Sequence, residues 1–215
     1  MRSSSGRRVL DGLSLKSRTG EKLAICGRSG SGKSTLLQVL LKILDVSEGS
    51  LVVLGKDTTY IPPRIHRKRF NTIPQESYFF QGTFRENLTR GDDVRDDLIL
   101  RALSKVGLQQ KVLGLGGIDH DLEPETFSSG ECQLLSLARA ILHPTKILLL
   151  DEAASSVDAK TDKKMDDIMW EEFKSDTIIA VLHKQEALHR FDRVIILDQG
   201  KIAYQARPPE LQLAN

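Results

Sequence analysis

Apolar and polar positions alternate along this chain in more than one rhythm. Short continuous apolar runs at Leu23 to Cys26, Lys146 to Leu150, Thr177 to Val181 and Arg193 to Leu197 read as strands buried on both faces. Helical spacing marks Ser34 to Leu44, Thr83 to Leu88, Ser129 to Leu142, Asp162 to Phe173 and Lys184 to His189. Asp97 to Val106 is a further helix, with Leu98, Ala102 and Val106 at helical spacing. Leu13 to Lys16 alternates weakly and predicts a strand, as do Leu51 to Leu54 and Asn71 to Ile73. Pro62-Pro63 opens a short basic helix, Gly114 to Gly117 is a loop, and His143-Pro144 stops the helix before it. Asp198-Gln199-Gly200 turns the chain into a last strand, Lys201 to Tyr204. The order of strands and helices predicts an α/β fold with a parallel sheet covered on both faces. Residues 1–75 and 144–215 would form that core, with a helical lobe inserted at 76–143. Met1 to Arg8 is rich in Ser, Arg and Gly and predicts a frayed end.

Bulk composition narrows this picture only a little. At 215 residues, 40% hydrophobic and 28% charged, the chain fits one soluble domain carrying a lobe. A net charge of +2 points neither toward nucleic acid nor away from it. The basic cluster Arg64, His66, Arg67, Lys68, Arg69 lacks interleaved aromatics and reads as a solvated helix face, so no nucleic-acid partner is expected. Cys26 and Cys132 suggest neither a disulfide framework nor a metal site, which suits a reducing compartment. The apolar runs are too short to span a bilayer, so a membrane would be met only through a partner.

The chemistry begins at Gly27 to Thr35, GRSGSGKST, which fits the phosphate-loop pattern G-x-x-x-x-G-K-[ST]. Gly27, Gly30 and Gly32 permit tight turns, and the backbone of Arg28, Ser29 and Ser31 can then aim N–H groups at phosphate oxygens. Lys33 suits the β and γ phosphates, the Ser34 hydroxyl suits Mg²⁺, and Thr35 continues into a helix whose N-terminus favours anions. A strand enters this loop and a helix leaves it, which the pattern requires. Ile147 to Glu152, ILLLDE, supplies carboxylates at a strand's carboxyl end. Asp151 there suits the metal through water, and Glu152 suits the orientation of an attacking water.

Phe127 to Ala140, FSSGECQLLSLARA, resembles the signature motif of ABC ATPases, usually LSGGQ followed by LARAL. The phosphate loop, Gln75, ILLLDE, SSVD at Ser155 to Asp158 and His183 stand in that family's order, from about Val9 to the end of the chain. QGTFRENL at Gln81 to Leu88 and DEAASSVDAKTD from Asp151 to Asp162 are similar to the second ATPase domain of multidrug-resistance-associated (subfamily C) exporters. The resemblance implies a RecA-like P-loop NTPase core with an antiparallel β hairpin region and an inserted helical lobe. It implies ATP and Mg²⁺ as cofactors, and hydrolysis that powers export of some substrate. Its partners would be transmembrane domains and a second nucleotide-binding domain, head to tail, at the cytoplasmic face of a membrane. By the same resemblance, Gln75 coordinates Mg²⁺ and senses the γ-phosphate, and His183 contacts the γ-phosphate with Glu152. Ser128, Ser129, Gly130 and Glu131 face a partner's nucleotide, and Asp158 shapes the opposite site.

Two departures from the family pattern stand out. Ser129 occupies the place of a glycine, where a side chain crowds the approach to phosphate, and Glu131 replaces glutamine, adding repulsion. The aromatic residue that stacks on adenine is expected before the first hairpin, but the first aromatic here is Tyr60, so the strand carrying it is expected to be missing. A soluble ABC-type ATPase in translation or DNA repair, or a non-functional transporter fragment, are the alternative readings. A second ATPase domain or a long coiled-coil insertion would mark the first alternative; 215 residues are expected to leave room for neither, and QGTFRENL favours the exporter.

Overall fold

The computed structural model describes residues 9–151, 159–182 and 188–208. In chain order the strands are β1 (Lys22–Cys26), β2 (Val52–Val53), β3 (Lys56–Asp57), β4 (Phe70–Ile73), β5 (Ile147–Asp151), β6 (Thr177–Val181), β7 (Arg193–Asp198) and β8 (Lys201–Ala206). The helices are α1 (Lys33–Leu40), α2 (Pro63–Arg67), α3 (Phe84–Thr89), α4 (Asp96–Val106), α5 (Gln109–Gly114), α6 (Ser129–Leu142) and α7 (Ala159–Glu172). The described residues fall into two compact units, one lying within 1–70, 145–152 and 175–215, the other within 71–144 and 153–174.

The first unit is a twisted sheet in the order β5-β6-β1-β7-β8, extended past β5 from Phe70, where β4 begins. β5, β6, β1 and β7 run parallel, and β8 returns antiparallel to β7. The apolar runs are buried on both faces because helices or loops cover each side of a parallel sheet. Leu23 and Ile25 of β1 join Leu149, Ile179, Val181 and Ile195 in one cluster, with Leu36 and Leu37 of α1 packed into it. The antiparallel hairpin β2–β3 stands apart from this sheet. The turn after β7 has both Gln199 (φ 46°) and Gly200 (φ 78°) left-handed, the twist that suits a two-residue hairpin.

The second unit is helical. α3 and α6 each begin with a full capping box, Thr83 with Glu86 and Ser128 with Glu131. The buried stripe of α4 is Ile99, Ala102, Leu103 and Val106, while Leu98 is 41% exposed. The expected face is therefore rotated by one residue, because i, i+3, i+4, i+7 from Ile99 captures more apolar area than the series from Leu98. Phe84 and Phe127 meet edge to face at 5.8 Å in this core. Lys105 of α4 pairs with Glu172 of α7 at 2.6 Å.

Three local expectations change. Leu13 to Lys16 keeps alternating half-buried residues but joins no ladder, since Leu13 and Leu15 only lean on the core. α1 stops at Leu40 rather than Leu44, as Lys42 turns left-handed (φ 50°) and its ammonium donates to the carbonyls of Thr58 and Ile61 at 2.7 and 2.9 Å. A helix, α5, precedes the loop at Gly114, where the apolar pair Val112 and Leu113 is too short to show a period.

The entry to β1 is fixed by an ion pair. Arg193 reaches Glu21 through two bonds, 2.8 and 3.1 Å, and Glu21 also accepts the Arg18 N–H at 2.7 Å. Burial pushes the Glu21 carboxyl up, but Arg193 and the Arg18 N–H outweigh it and hold the group below its ordinary value. A depressed folded pKa means this stabilisation is complete above the unfolded value and is lost as pH falls through the folded one. Glu21→Gln should therefore lower stability by about 1–3 kcal/mol at pH 7, with the gap to the unaltered chain closing as pH drops below ~4. Chemical denaturation across that range measures it.

Candidate functional site

β1 delivers the chain to the phosphate loop and α1 takes it away. Gly27 sits where β1 ends, and a Cβ there would lie 2.3 Å from the Leu197 carbonyl oxygen and 2.6 Å from Ser31 Oγ. No side chain larger than hydrogen fits without moving backbone. Arg28, Ser29 and Gly30 form the exposed crest of the loop, and Ser31 and Gly32 return to the interior. Gly32 is the N-cap of α1 in left-handed conformation (φ 107°).

The start of α1 is chemically bare. No side chain caps it, and no acidic residue stands in its first turn. A helix leaves its first N–H groups without internal partners, and the macrodipole makes that end positive. Lys33 is only 5% exposed, and its ammonium donates to the carbonyls of Gly27 at 2.8 Å and Arg28 at 3.2 Å. The lysine thus curls over the loop that precedes it and keeps the loop's curvature. Ser31 Oγ is buried and has no hydrogen-bond partner among the described residues. Ser34 is exposed at the same end and Thr35 half-buried. Burial pushes the Cys26 thiol up, an effect that neighbouring Lys33 partly offsets, so Cys26 stays a neutral side chain at the strand end.

Asp151 closes β5 at the same edge of the sheet. Asp151 and Ile25 are both in register with Val181 of the intervening β6. Two strand spacings put Asp151 roughly 10 Å across from Ile25, at the carboxyl ends where ligands of parallel sheets bind. No cluster of three or more His, Cys, Asp or Glu able to hold a metal occurs among the described residues. A Mg²⁺ ion that arrives with a polyphosphate needs only one or two protein oxygens, and the hydroxyl of Ser34 and the carboxylate of Asp151 are oxygens of the kind such an ion takes. Bare helix amides, a buried lysine and an orphaned hydroxyl around one loop fit a triphosphate. Glu152, Asp158 and His183 lie outside the described residues, as do Ser155 and most of the helix expected from Lys184.

Contacts invisible in the motif hold this loop. The Gly200 N–H donates to the Ser31 carbonyl at 3.0 Å, and the Gly200 carbonyl accepts from the Asp11 N–H at 3.0 Å. A Cβ on Gly200 would lie 2.1 Å from the Val9 carbonyl oxygen. The turn was legible in the sequence as a hairpin. Its bracing of the loop was not.

The second unit carries the remaining expected residues. Gln75 has an exposed side chain, and its carbonyl accepts from the buried Gln133 of α6 at 2.6 Å. Ser136 of α6 bonds Ser77 at 3.0 Å. Ser128 is the N-cap of α6: its Oγ accepts the Glu131 N–H at 3.2 Å, and its own N–H donates to Glu131 at 2.9 Å. Ser129 is exposed and Gly130 buried in the first turn. Lys111 of α5 donates to both Glu131 oxygens, at 2.8 and 2.9 Å. His66, counted in the sequence among a solvated basic face, is instead fully buried, bonded to the Leu40 carbonyl at 2.7 Å. No helix of the described residues is long and apolar enough to cross a membrane.

The family described as "ABC transporter" matches residues 10–155. ABC multidrug transporter B of Aspergillus fumigatus is 41% identical over 200 residues, 93% of this chain and 14% of that protein. ATP-binding cassette sub-family C member 10 of Mus musculus is 36% identical over 206 residues, 95% of this chain and 14% of that protein. The structure of a bacterial Atm1-family ABC exporter with ATP bound superposes with a TM-score of 0.88 at 28% identity, over 97% of this chain and 38% of that one. The chain thus spans about a seventh of the length of these curated relatives.

Gly27→Ala tests the loop geometry without reference to any ligand. The added methyl meets a backbone oxygen at 2.3 Å, so a loss of about 1–3 kcal/mol in unfolding free energy is expected. Gly30→Ala meets no atom within 4 Å, and its cost should be confined to the left-handed backbone (φ 78°). Equal losses in the two variants would show that the close approach at Gly27 carries no weight.

Proposed function

Because the chain belongs to the ABC transporter family, we propose that it is the ATP-binding and ATP-hydrolysing domain of an exporter resembling subfamily C. The observation that carries this reading is the bare N-terminus of α1 with Lys33 buried against the loop it must serve. Triphosphate oxygens would take the free N–H groups of the first turn, and Lys33 would exchange loop carbonyls for the β and γ phosphates. Ser34 and Asp151 would hold Mg²⁺, with Gln75 as a further ligand assigned by resemblance. When bound, the ion would supply charge neutralisation for phosphoryl transfer.

Hydrolysis then needs a water positioned in line with the γ-phosphate. Glu152 is the residue assigned to orient it and His183 the one assigned to the γ-phosphate. Phosphoryl transfer of this kind depends on positioning and electrostatics more than on covalent help from the protein. Ser128, Ser129, Gly130 and Glu131 are proposed to meet the nucleotide of a second ATPase domain, head to tail, with Asp158 shaping the opposite site. Partner transmembrane domains would carry the substrate at the cytoplasmic face of a membrane. Nucleic acid is not among the proposed partners.

Two measurements test this. Lys33→Ala should weaken ATP binding about a hundredfold or more in calorimetry, since it removes a buried charge opposite the phosphates. Unchanged affinity would remove the basis of the site. Glu152→Gln should retain ATP binding and lower single-turnover hydrolysis by about a hundredfold. Hydrolysis at the unaltered rate in that variant would take the water-positioning role away from Glu152.

A further inference from the structure

The turn that opens α6 carries an acid where it is least welcome. On the functional reading above, on which this inference rests, Ser128 to Glu131 receives a triphosphate from a second ATPase domain. A glutamine at position 131 would close the same capping box, because the bond to the Ser128 N–H needs only a side-chain carbonyl oxygen. Glutamate adds a full negative charge to a surface that must accept several more. Such a charge is tolerable only if something nearby cancels it.

Lys111 is placed to do that. Its ammonium lies 2.8 and 2.9 Å from the two Glu131 oxygens and 3.0 Å from the Thr126 carbonyl it donates to. It also sits 4.4 Å above the Phe127 ring, and Phe127 packs on Phe84 in the core. The cation is therefore fixed from three sides: by the carboxylate, by the backbone just ahead of the turn and by an aromatic face. Burial alone would raise the Glu131 carboxyl; Lys111 and the Ser128 N–H bring it below its ordinary value, which keeps it ionised and paired. Lys111 comes from α5, so the pair also ties that helix to the first turn of α6.

We propose that Lys111 is a positioning residue for the signature turn: it supplies the counter-charge and the lateral anchor that let glutamate stand at position 131 beside an incoming triphosphate. A surface ion pair of this exposure contributes little to stability by itself. Its effect belongs to the approach of a second negative group, where an uncompensated carboxylate repels.

A double-mutant cycle tests the proposal with the 215-residue chain, the triphosphate being presented by a second copy. ATP-dependent self-association is measured by sedimentation velocity with Mg-ATP, in a Glu152→Gln background. Lys111→Met should weaken association about tenfold. Lys111→Arg should restore it to within about threefold, because the charge and reach are kept. In the Glu131→Gln background, Lys111→Met should change association by less than about twofold, since no charge is left to cancel. Equal weakening by Lys111→Met in both backgrounds would overturn the proposal and leave Lys111 a packing residue. A second readout does not depend on nucleotide: the Glu131 carboxyl, followed by carbon NMR, should titrate higher in Lys111→Met. An unmoved carboxyl would overturn the pairing itself. Calorimetry separates the levels: a chain that binds no ATP refutes the functional reading, whereas one that binds ATP and associates equally well with or without Lys111→Met refutes the role proposed for Lys111.

Discussion

Everything at the phosphate loop depends on backbone approaching backbone. Gly27 passes the Leu197 carbonyl and Gly200 passes that of Val9 at distances no Cβ allows. These approaches come from different parts of the chain: the end of β1, the end of β7 and the hairpin turn that follows it. Together with the bond from the Gly200 N–H to the Ser31 carbonyl, they leave the loop one curvature. With the curve fixed from outside, the amides at the start of α1 need no capping side chain. A cap there would satisfy the helix and occupy the place of an anion. The site is thus made by withholding a local interaction and replacing its stabilisation with close packing elsewhere.

The second unit uses the opposite device. α6 begins with a complete capping box, and its buried face holds the segment after β4. Gln133 donates to the Gln75 carbonyl, Ser136 bonds Ser77, and Arg139 donates to the Tyr78 and Asn87 carbonyls while lying 4.9 Å from the Phe79 ring. Burial, with Arg90 nearby, brings the Arg139 guanidinium down to about 10, yet it remains charged at neutral pH. One helix therefore carries the signature turn at its start and the Gln75 segment along its side. A shift of α6 would be felt at both.

Charge is managed locally in both units. Glu21 is answered by Arg193, Glu131 by Lys111 and Glu172 by Lys105. The two pairs closest to proposed function, at the strand leading to the loop and at the signature turn, are those in which backbone N–H groups join the side-chain partner. A carboxylate held from two kinds of donor is fixed in place as well as neutralised.

Much of this was legible in the sequence because it is encoded locally. Buried parallel strands show as unbroken apolar runs, which is why β1, β5, β6 and β7 appear within a residue of their expected bounds. A capping residue and a stopping proline fix α6 from Ser129 to Leu142. The phosphate loop declares itself because its glycines, lysine and serine must stand at set spacing along the chain. Other features are set by what lies across space. Leu13 and Leu15 alternate like a strand but find no ladder, since pairing needs a neighbour at the right distance. His66 reads as one more basic residue until α2 turns it toward the Leu40 carbonyl. Gly200 looks like any hairpin glycine, and Lys111 like any surface lysine, until folding brings the first against the loop and the second against Glu131. Spacing along the chain determined which atoms the site can offer; which of them are braced, paired or buried was decided only by contacts between residues far apart in sequence.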